Sequence, residues 1–451
     1  MSTETITVFG AGLAGTLMAV YLARAGHRVD LYERRSDPRV AGAAGGKSIN
    51  LALSARGIDA LARVGLAERV LKDAIPMRGR MIHGPTGELV YQPYSADPSK
   101  AINSVSRGGL NMTLLDAAQA EPNVTLRFGT RCRGVDFDKR VALVERMDTG
   151  VREELAVGTV VGADGAFSGV RSSMQRRERF DYSQDYLPHG YKELTIPAGD
   201  GGSWRIEKNA LHIWPRGTHM MIALPNADGS FTCTLFWPYE GRNSVEELQT
   251  ESDVERFFRA QFPDAMDLIP SLTHDFVNNP TGSLVTVRCS PWSVGDAAVL
   301  IGDACHAVVP FFGQGMNAAF QDCTVLDECM RAHPNDRSAA FAEYHDRRKR
   351  DCDVLADLAI ENYVEMRDHT ASPVFRARKR VERVLTKVFP RWYLPLYEMV
   401  SFSTIPYGEA VDRARRQDRI TRFFVGALLG IGSATIVGIV FFIGFWWKYS
   451  R

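Results

Sequence analysis

Gly10-Ala11-Gly12-Leu13-Ala14-Gly15 is a GxGxxG hexapeptide, and its flanks decide how it is read. Upstream, Thr5 to Phe9 is apolar and rich in β-formers. Downstream, Leu17 to Ala25 reads as a helix ending at Gly26, and Arg28 to Tyr32 makes a second strand closed by Glu33. Strand, glycine turn, helix, strand and acid in this order form the dinucleotide fingerprint. The glycines permit a tight turn and close approach of backbone to a pyrophosphate, the helix N-terminus supplies N–H groups and positive dipole, and the acid accepts from ribose hydroxyls. A lone GxGxxG is weak evidence; this context makes Gly10, Gly12, Ala14, Gly15 and Glu33 candidate cofactor residues.

Around this opening unit the chain has 451 residues, enough for two or three units at roughly 150 residues per domain. Hydrophobic residues at 45% and charged residues at 24% are ordinary for a packed globular body, which excludes a disordered tail or a small stapled domain. Lys+Arg 54 against Asp+Glu 53 gives a formal net charge of +1, so there is no global electrostatic case for nucleic acid. Seven Cys without a CxxC pair read as reduced thiols, and the start lacks the basic and apolar regions of a signal peptide. Alternating strands and turns in Met81 to Tyr94 and Tyr191 to Pro238 suggest an antiparallel sheet, with Trp204, Trp214, Phe236 and Trp237 as its core. Helical patterns dominate from Gln314 onward.

Two later segments choose between NAD and FAD. Val160 to Arg171 is a short apolar strand running into Gly162-Ala163-Asp164-Gly165. Val299 to His306 is another, ending in Gly302-Asp303, and Pro310-Phe311-Phe312-Gly313-Gln314-Gly315-Met316-Asn317 opens a helix beyond it. A carboxylate beside glycine at a strand end can take ribose or ribityl hydroxyls, and the helix N-terminus can hold negative charge on a reduced isoalloxazine. His306 invites a catalytic reading, but its neighbours already satisfy the flavin pattern, so a structural role is expected.

With these three motifs in this order, the sequence resembles the class A flavoprotein aromatic hydroxylases built on the para-hydroxybenzoate hydroxylase fold. Within that group it is similar, nearly end to end, to the kynurenine 3-monooxygenase family. The similarity rests on Lys47 to Ser54 with Arg56-Gly57, Met77 to His83, Gln92-Pro93-Tyr94, Ser104 to Arg107 with Leu110-Asn111, Pro310 to Asn317, Glu361 to Arg367, and Ser401-Phe402-Ser403 followed by Tyr407 and Glu409-Ala410-Val411. The resemblance implies one bound FAD, NADPH as a transient co-substrate, and O2 activated as a flavin C4a-hydroperoxide that hydroxylates L-kynurenine to 3-hydroxy-L-kynurenine in tryptophan catabolism. Catalytic side chains and metals are not required, because the flavin performs the chemistry.

The resemblance also assigns residues. Arg80 would grip the kynurenine carboxylate with its fork of N–H donors, joined by Tyr94, Asn362 and Tyr407, while Phe311 and Phe312 would wall the aromatic ring. Gly10, Gly12, Ala14, Gly15, Glu33, Arg34, Ala52, Arg56, Arg107, Asp164, Asp303, Gly315, Met316 and Asn317 would hold FAD. The stretch after Tyr407, Gly408 to Arg416, departs from the family in being more basic. Two other readings compete: another hydroxylase of this fold acting on a different aromatic, and a non-catalytic membrane-tethered flavoprotein. A flavin halogenase is disfavoured, as there is no Trp-x-Trp-x-Ile-Pro segment.

The expected fold is therefore α/β. A Rossmann-like FAD-binding domain (1–75, 100–180, 285–335) is interleaved with an antiparallel-sheet substrate domain (76–99, 181–284), then a C-terminal helical region (336–422). Phe423 to Trp447 carries no charge over about 25 positions, the length of a transmembrane helix, and Trp446, Trp447 and Tyr449 suggest an interfacial belt. Arg413, Arg415, Arg416, Arg419 and Arg422 precede this stretch, so a C-terminal membrane anchor with the catalytic body on the cytoplasmic side is expected. One GxxxG, Gly426 to Gly430, could serve as a helix dimer face; oligomeric state stays open.

Overall fold

The computed structural model describes residues 4–40, 50–365, 382, 385–386, 388–389 and 392–423. Lys47, Ser48, Ile49, Met366 and Arg367 of the sequence motifs lie outside them.

The opening strand Thr5–Phe9 sits inside a six-stranded sheet, flanked by Arg28–Tyr32 on one side and Thr159–Gly162 on the other, all parallel. Val124–Arg127 and Ala298–Leu300 extend it outward, and Ser293–Val294 adds an antiparallel edge. The interior strands are nearly continuous apolar runs, as expected where helices cover both faces. Helix Leu13–Arg24, buried along most of its length, packs beneath Gly315–Ala332 and Arg107–Ala120. Leu17, Met18, Val20, Val161, Leu300, Ile301 and Phe320 are among the fully buried residues of this core.

A seven-stranded sheet forms the second layer, in the order Thr281–Ser290, Asp181–Ile196, Phe231–Pro238, Met220–Pro225, Ala210–Pro215, Gly79–His83, Leu89–Pro93. Its pairs are antiparallel except that Ala210–Pro215 and Gly79–His83 run parallel. The strand Thr281–Ser290 runs past residue 284, so the sheet extends beyond the span expected for it. On one face Trp214, Phe231, Leu235 and Trp237 pack against helices Glu251–Gln261, Pro263–Met266 and Leu272–Asn278; the other face looks toward the parallel sheet. All seven Cys are buried and free. Helices Arg337–Val364, Leu396–Phe402 and 407–423 close the described chain.

Among the described residues no helix is long and apolar enough to cross a membrane. This corrects the expected C-terminal transmembrane helix, and with it the membrane-anchored placement. Of that stretch only Phe423 is described; residues 424–447 lie outside.

Candidate active site

Between the two sheets lies a cavity of about 600 Å³. At one end it is floored by the glycine turn. Gly10 has φ +102°, and a Cβ there would stand 2.4 Å from the Ala163 carbonyl oxygen; a Cβ on Gly15 would stand 1.9 Å from that of Gly10. Both glycines are therefore required for helix and strand to meet. Gly12 differs: a Cβ would meet nothing within 4 Å, and the residue lines the cavity at the helix N-terminus. That open side is a cradle for a phosphate group.

Glu33 steadies the same turn. Its Oε2 accepts from the Ala11 N–H at 2.9 Å and its Oε1 from the Arg35 N–H at 3.0 Å. Asp164 faces the cavity from the end of Thr159–Gly162. Its Oδ2 accepts from the Gly169 N–H at 2.7 Å, while its Oδ1 is buried without a partner. Burial raises the Asp164 pKa, and hydrogen bonds from Ser168, Gly169 and Val170 oppose the rise. An orphaned buried acceptor costs free energy until a donor arrives, and a cofactor hydroxyl supplies one. Cradle and orphan together fit FAD.

The far end is aromatic. Arg80 comes from strand Gly79–His83, in register with Leu211, and both line the cavity because paired residues project to the same face. The Arg80 guanidinium lies 5.7 Å from the Tyr94 ring centroid and 5.0 Å from that of Tyr397, and the two rings stack at 5.3 Å. Arg80 Nε is buried without a partner. Burial works against the Arg80 charge, but Tyr397, Tyr94 and Glu365 hold its pKa above the usual arginine value. Burial raises the Tyr94 and Tyr397 phenols, so both remain protonated donors at neutral pH. Phe312 stacks on Tyr397 at 5.7 Å, and Phe311 lies between Tyr363 at 4.0 Å and Phe236 at 4.7 Å.

The sequence-derived residues divide into two groups. Gly10, Gly12, Ala14, Glu33, Arg34, Ala52, Arg107, Asp164, Asp303, Gly315, Met316, Arg80, Tyr94, Phe311 and Phe312 line the cavity; Gly15, Arg56, Asn317, Asn362 and Tyr407 do not. The second group forms a supporting layer. Arg56, almost fully buried, donates to the carbonyls of Val400 and Ile405, and its guanidinium lies 3.9 Å from the Tyr407 ring centroid. Tyr407 donates to Gln314 Oε1 at 3.0 Å. Asn317 donates to the carbonyls of Ala52 and Gly313, and Asn362 donates to that of Phe311 at 2.7 Å.

His306 points away from the cavity to Asp322, at 2.5 Å. Asp322, fully buried, also accepts from Arg348 Nε at 2.8 Å and from the Gly302 N–H at 2.9 Å. Cys305, His306 and Asp322 lie close enough to hold a metal ion, but the guanidinium of Arg348 already occupies the carboxylate. Tyr397 is the aromatic neighbour of Arg80 in the cavity that sequence reasoning missed. Its signal was proximity: it lies four residues before the Ser401-Phe402-Ser403 motif, one helical turn away.

A dinucleotide cradle opening onto an aromatic chamber, itself roofed by an antiparallel sheet, defines a single-cofactor FAD-dependent oxidoreductase. The comparisons carry this further. The family model described as FAD binding domain matches residues 2–358. A kynurenine 3-monooxygenase of Myxococcus xanthus is 51% identical, covering 92% of this chain and 90% of that protein; one of Sus scrofa is 44% identical, covering 96% and 92%. The chain belongs to the kynurenine 3-monooxygenase family. In fold it is similar to 2-methyl-3-hydroxypyridine-5-carboxylic acid oxygenase, with TM-score 0.68 and 19% identity over 83% of this chain and 95% of that one. It is also similar to Pseudomonas aeruginosa PqsL, with TM-score 0.64 and 22% identity over 81% and 97%.

Proposed function

We propose that this chain hydroxylates L-kynurenine to 3-hydroxy-L-kynurenine, with Arg80, Tyr94 and Tyr397 as the carboxylate clamp and Phe311 and Phe312 as the walls of the ring. The chain is an FAD-dependent monooxygenase that consumes NADPH and O2. Bound FAD would supply the redox chemistry, hydride acceptance from NADPH and O2 activation, for hydroxylation at the ring carbon ortho to the substrate's amino group. The protein's own share is placement and dryness. Gly10, Gly12, Ala14, Glu33, Arg34, Ala52, Arg107, Asp164, Asp303, Gly315 and Met316 would hold the cofactor, while Gly15, Arg56 and Asn317 would fix the backbone around it. Asn362 and Tyr407 would stand outside the clamp, holding the Phe311 to Gln314 segment behind it.

The observation that carries this reading is the Arg80 guanidinium beside two stacked phenols, in the cavity that Gly12 and Glu33 also line. A zwitterionic amino acid needs a permanently charged, forked donor for its carboxylate, and Arg80 stays charged at every working pH. A neutral phenol needs no such group, so the reading as a hydroxylase of another aromatic is not favoured. Purified protein should oxidise NADPH rapidly only when L-kynurenine is present, with 3-hydroxykynurenine formed. Equal stimulation by simple phenols, with none by kynurenine, would refute this function.

A further inference from the structure

Directly behind the Arg80 site, the loop after strand Leu89–Pro93 and the helix Leu396–Phe402 are tied together by one buried carboxylate. Glu398, 5% exposed, accepts from Lys100 Nζ at 2.9 Å and from Ser95 Oγ at 3.0 Å, both on Oε2. Ser95 follows Tyr94 in the chain and Glu398 follows Tyr397, so the tie joins the immediate neighbours of the two stacked phenols. Lys100 also lies 5.9 Å from the Phe402 ring centroid, and Phe402 contacts both tyrosine rings at 6.5 and 6.4 Å.

A carboxylate removed from water this far is costly unless paired and hydrogen-bonded, and packing alone would be served by an apolar residue. Tyr397 and Phe402 also pack with Tyr94, while Met399 and Val400 sit in a separate hydrophobic cluster and Arg56 holds the Val400 carbonyl. To this apolar packing Glu398 adds the charged tie to the loop. We propose that Glu398 is a positioning residue for substrate recognition, setting the spacing of the stacked Tyr94 and Tyr397 rings beside Arg80. This rests on the kynurenine reading above and deepens it. Without the tie, the two phenols no longer converge on one carboxylate, and binding should suffer more than turnover at saturation.

The test is steady-state kinetics of full-length, FAD-loaded Glu398→Ala beside the parent protein. Its KM for L-kynurenine should rise about tenfold, with kcat within about twofold and flavin content unchanged. The charge-swapped variant Lys100→Glu with Glu398→Lys should return KM to within about threefold of the parent, because the ion pair is rebuilt with reversed polarity. An unchanged KM in Glu398→Ala, parallel loss of kcat, KM and flavin, or failure of the swap to recover KM would each overturn the proposal. A parent protein indifferent to kynurenine would overturn the underlying reading as well; a responsive parent with indifferent variants would sink this inference alone.

Discussion

The guanidinium of Arg80 lies 5.0 Å from the ring centroid of Tyr397, although 317 positions separate them in the chain and no hydrophobic periodicity links them. One comes from a strand of the antiparallel sheet, the other from a seven-residue helix that Arg56 caps at Val400. Their meeting places a fixed positive charge where the cavity is otherwise lined by Met77, Leu211, Met220, Ile222 and Leu224.

Arg80→Ala should weaken kynurenine binding by about 2–4 kcal/mol, the worth of a charge-assisted fork lost in a desolvated pocket. Flavin content should stay at the parental level, since the aromatic neighbours of Arg80 are Tyr94 and Tyr397 and not residues of the glycine turn. Substrate titration followed by flavin absorbance, on protein of known flavin stoichiometry, checks both halves.

Tyr397→Phe and Tyr407→Phe should separate cleanly. The first removes a hydroxyl that meets Arg80 and Tyr94 and should raise KM for kynurenine severalfold. The second removes one buried hydrogen bond to Gln314, costing about 1 kcal/mol of stability and leaving KM nearly unchanged. Kinetics and thermal unfolding of the pair decide which tyrosine belongs to the clamp.

Asp164→Asn should weaken FAD binding and stabilise the apoprotein, the trade expected where function holds a strained group. Its carboxyl pKa is raised by burial, so in the apoprotein the destabilisation is full above the folded pKa, shrinks as pH falls through it and is gone below the unfolded value. The Tm advantage of the variant apoprotein should therefore be present at neutral pH and shrink in acid. Thermal melts across that range measure it.

Asp322→Asn should destabilise the fold by about 3–5 kcal/mol, because it strips Arg348 and His306 of their buried counter-charge. Burial opposes the charge on His306, but Asp322 holds its pKa well above the usual value. The linked stability is complete below the unfolded histidine value of about 6.5 and is lost as pH rises through the higher folded value. Chemical denaturation should thus show parental stability declining on the alkaline side, and His306→Gln flattening that decline.

The cofactor half of this molecule was legible from the chain because its signals are local: the turn from Gly10 to Gly15, the acid at Glu33 and the aspartates at Asp164 and Asp303 are each defined within a few residues. The substrate half was legible only through resemblance, which named Arg80, Tyr94, Phe311 and Phe312 but not Tyr397, since these residues converge through the parallel pairing of Gly79–His83 with Ala210–Pro215 and the docking of a short helix. Similarity picked out Arg56, Asn317, Asn362 and Tyr407 as important but could not say that their side chains turn to backbone carbonyls and to Gln314 rather than to the cavity. The charge-free stretch after Arg422 misled in another way: apolar composition suggested a membrane helix, and the described helices provide none.

The most direct test compares L-kynurenine with kynuramine, its analogue lacking the carboxylate, in the parent protein and in Arg80→Ala. If Arg80 acts on that carboxylate, the parent should bind kynuramine about as weakly as the variant binds kynurenine, and the variant should not distinguish the two. Equal affinity of the parent for both ligands, or an undiminished preference for kynurenine in the variant, would contradict the account.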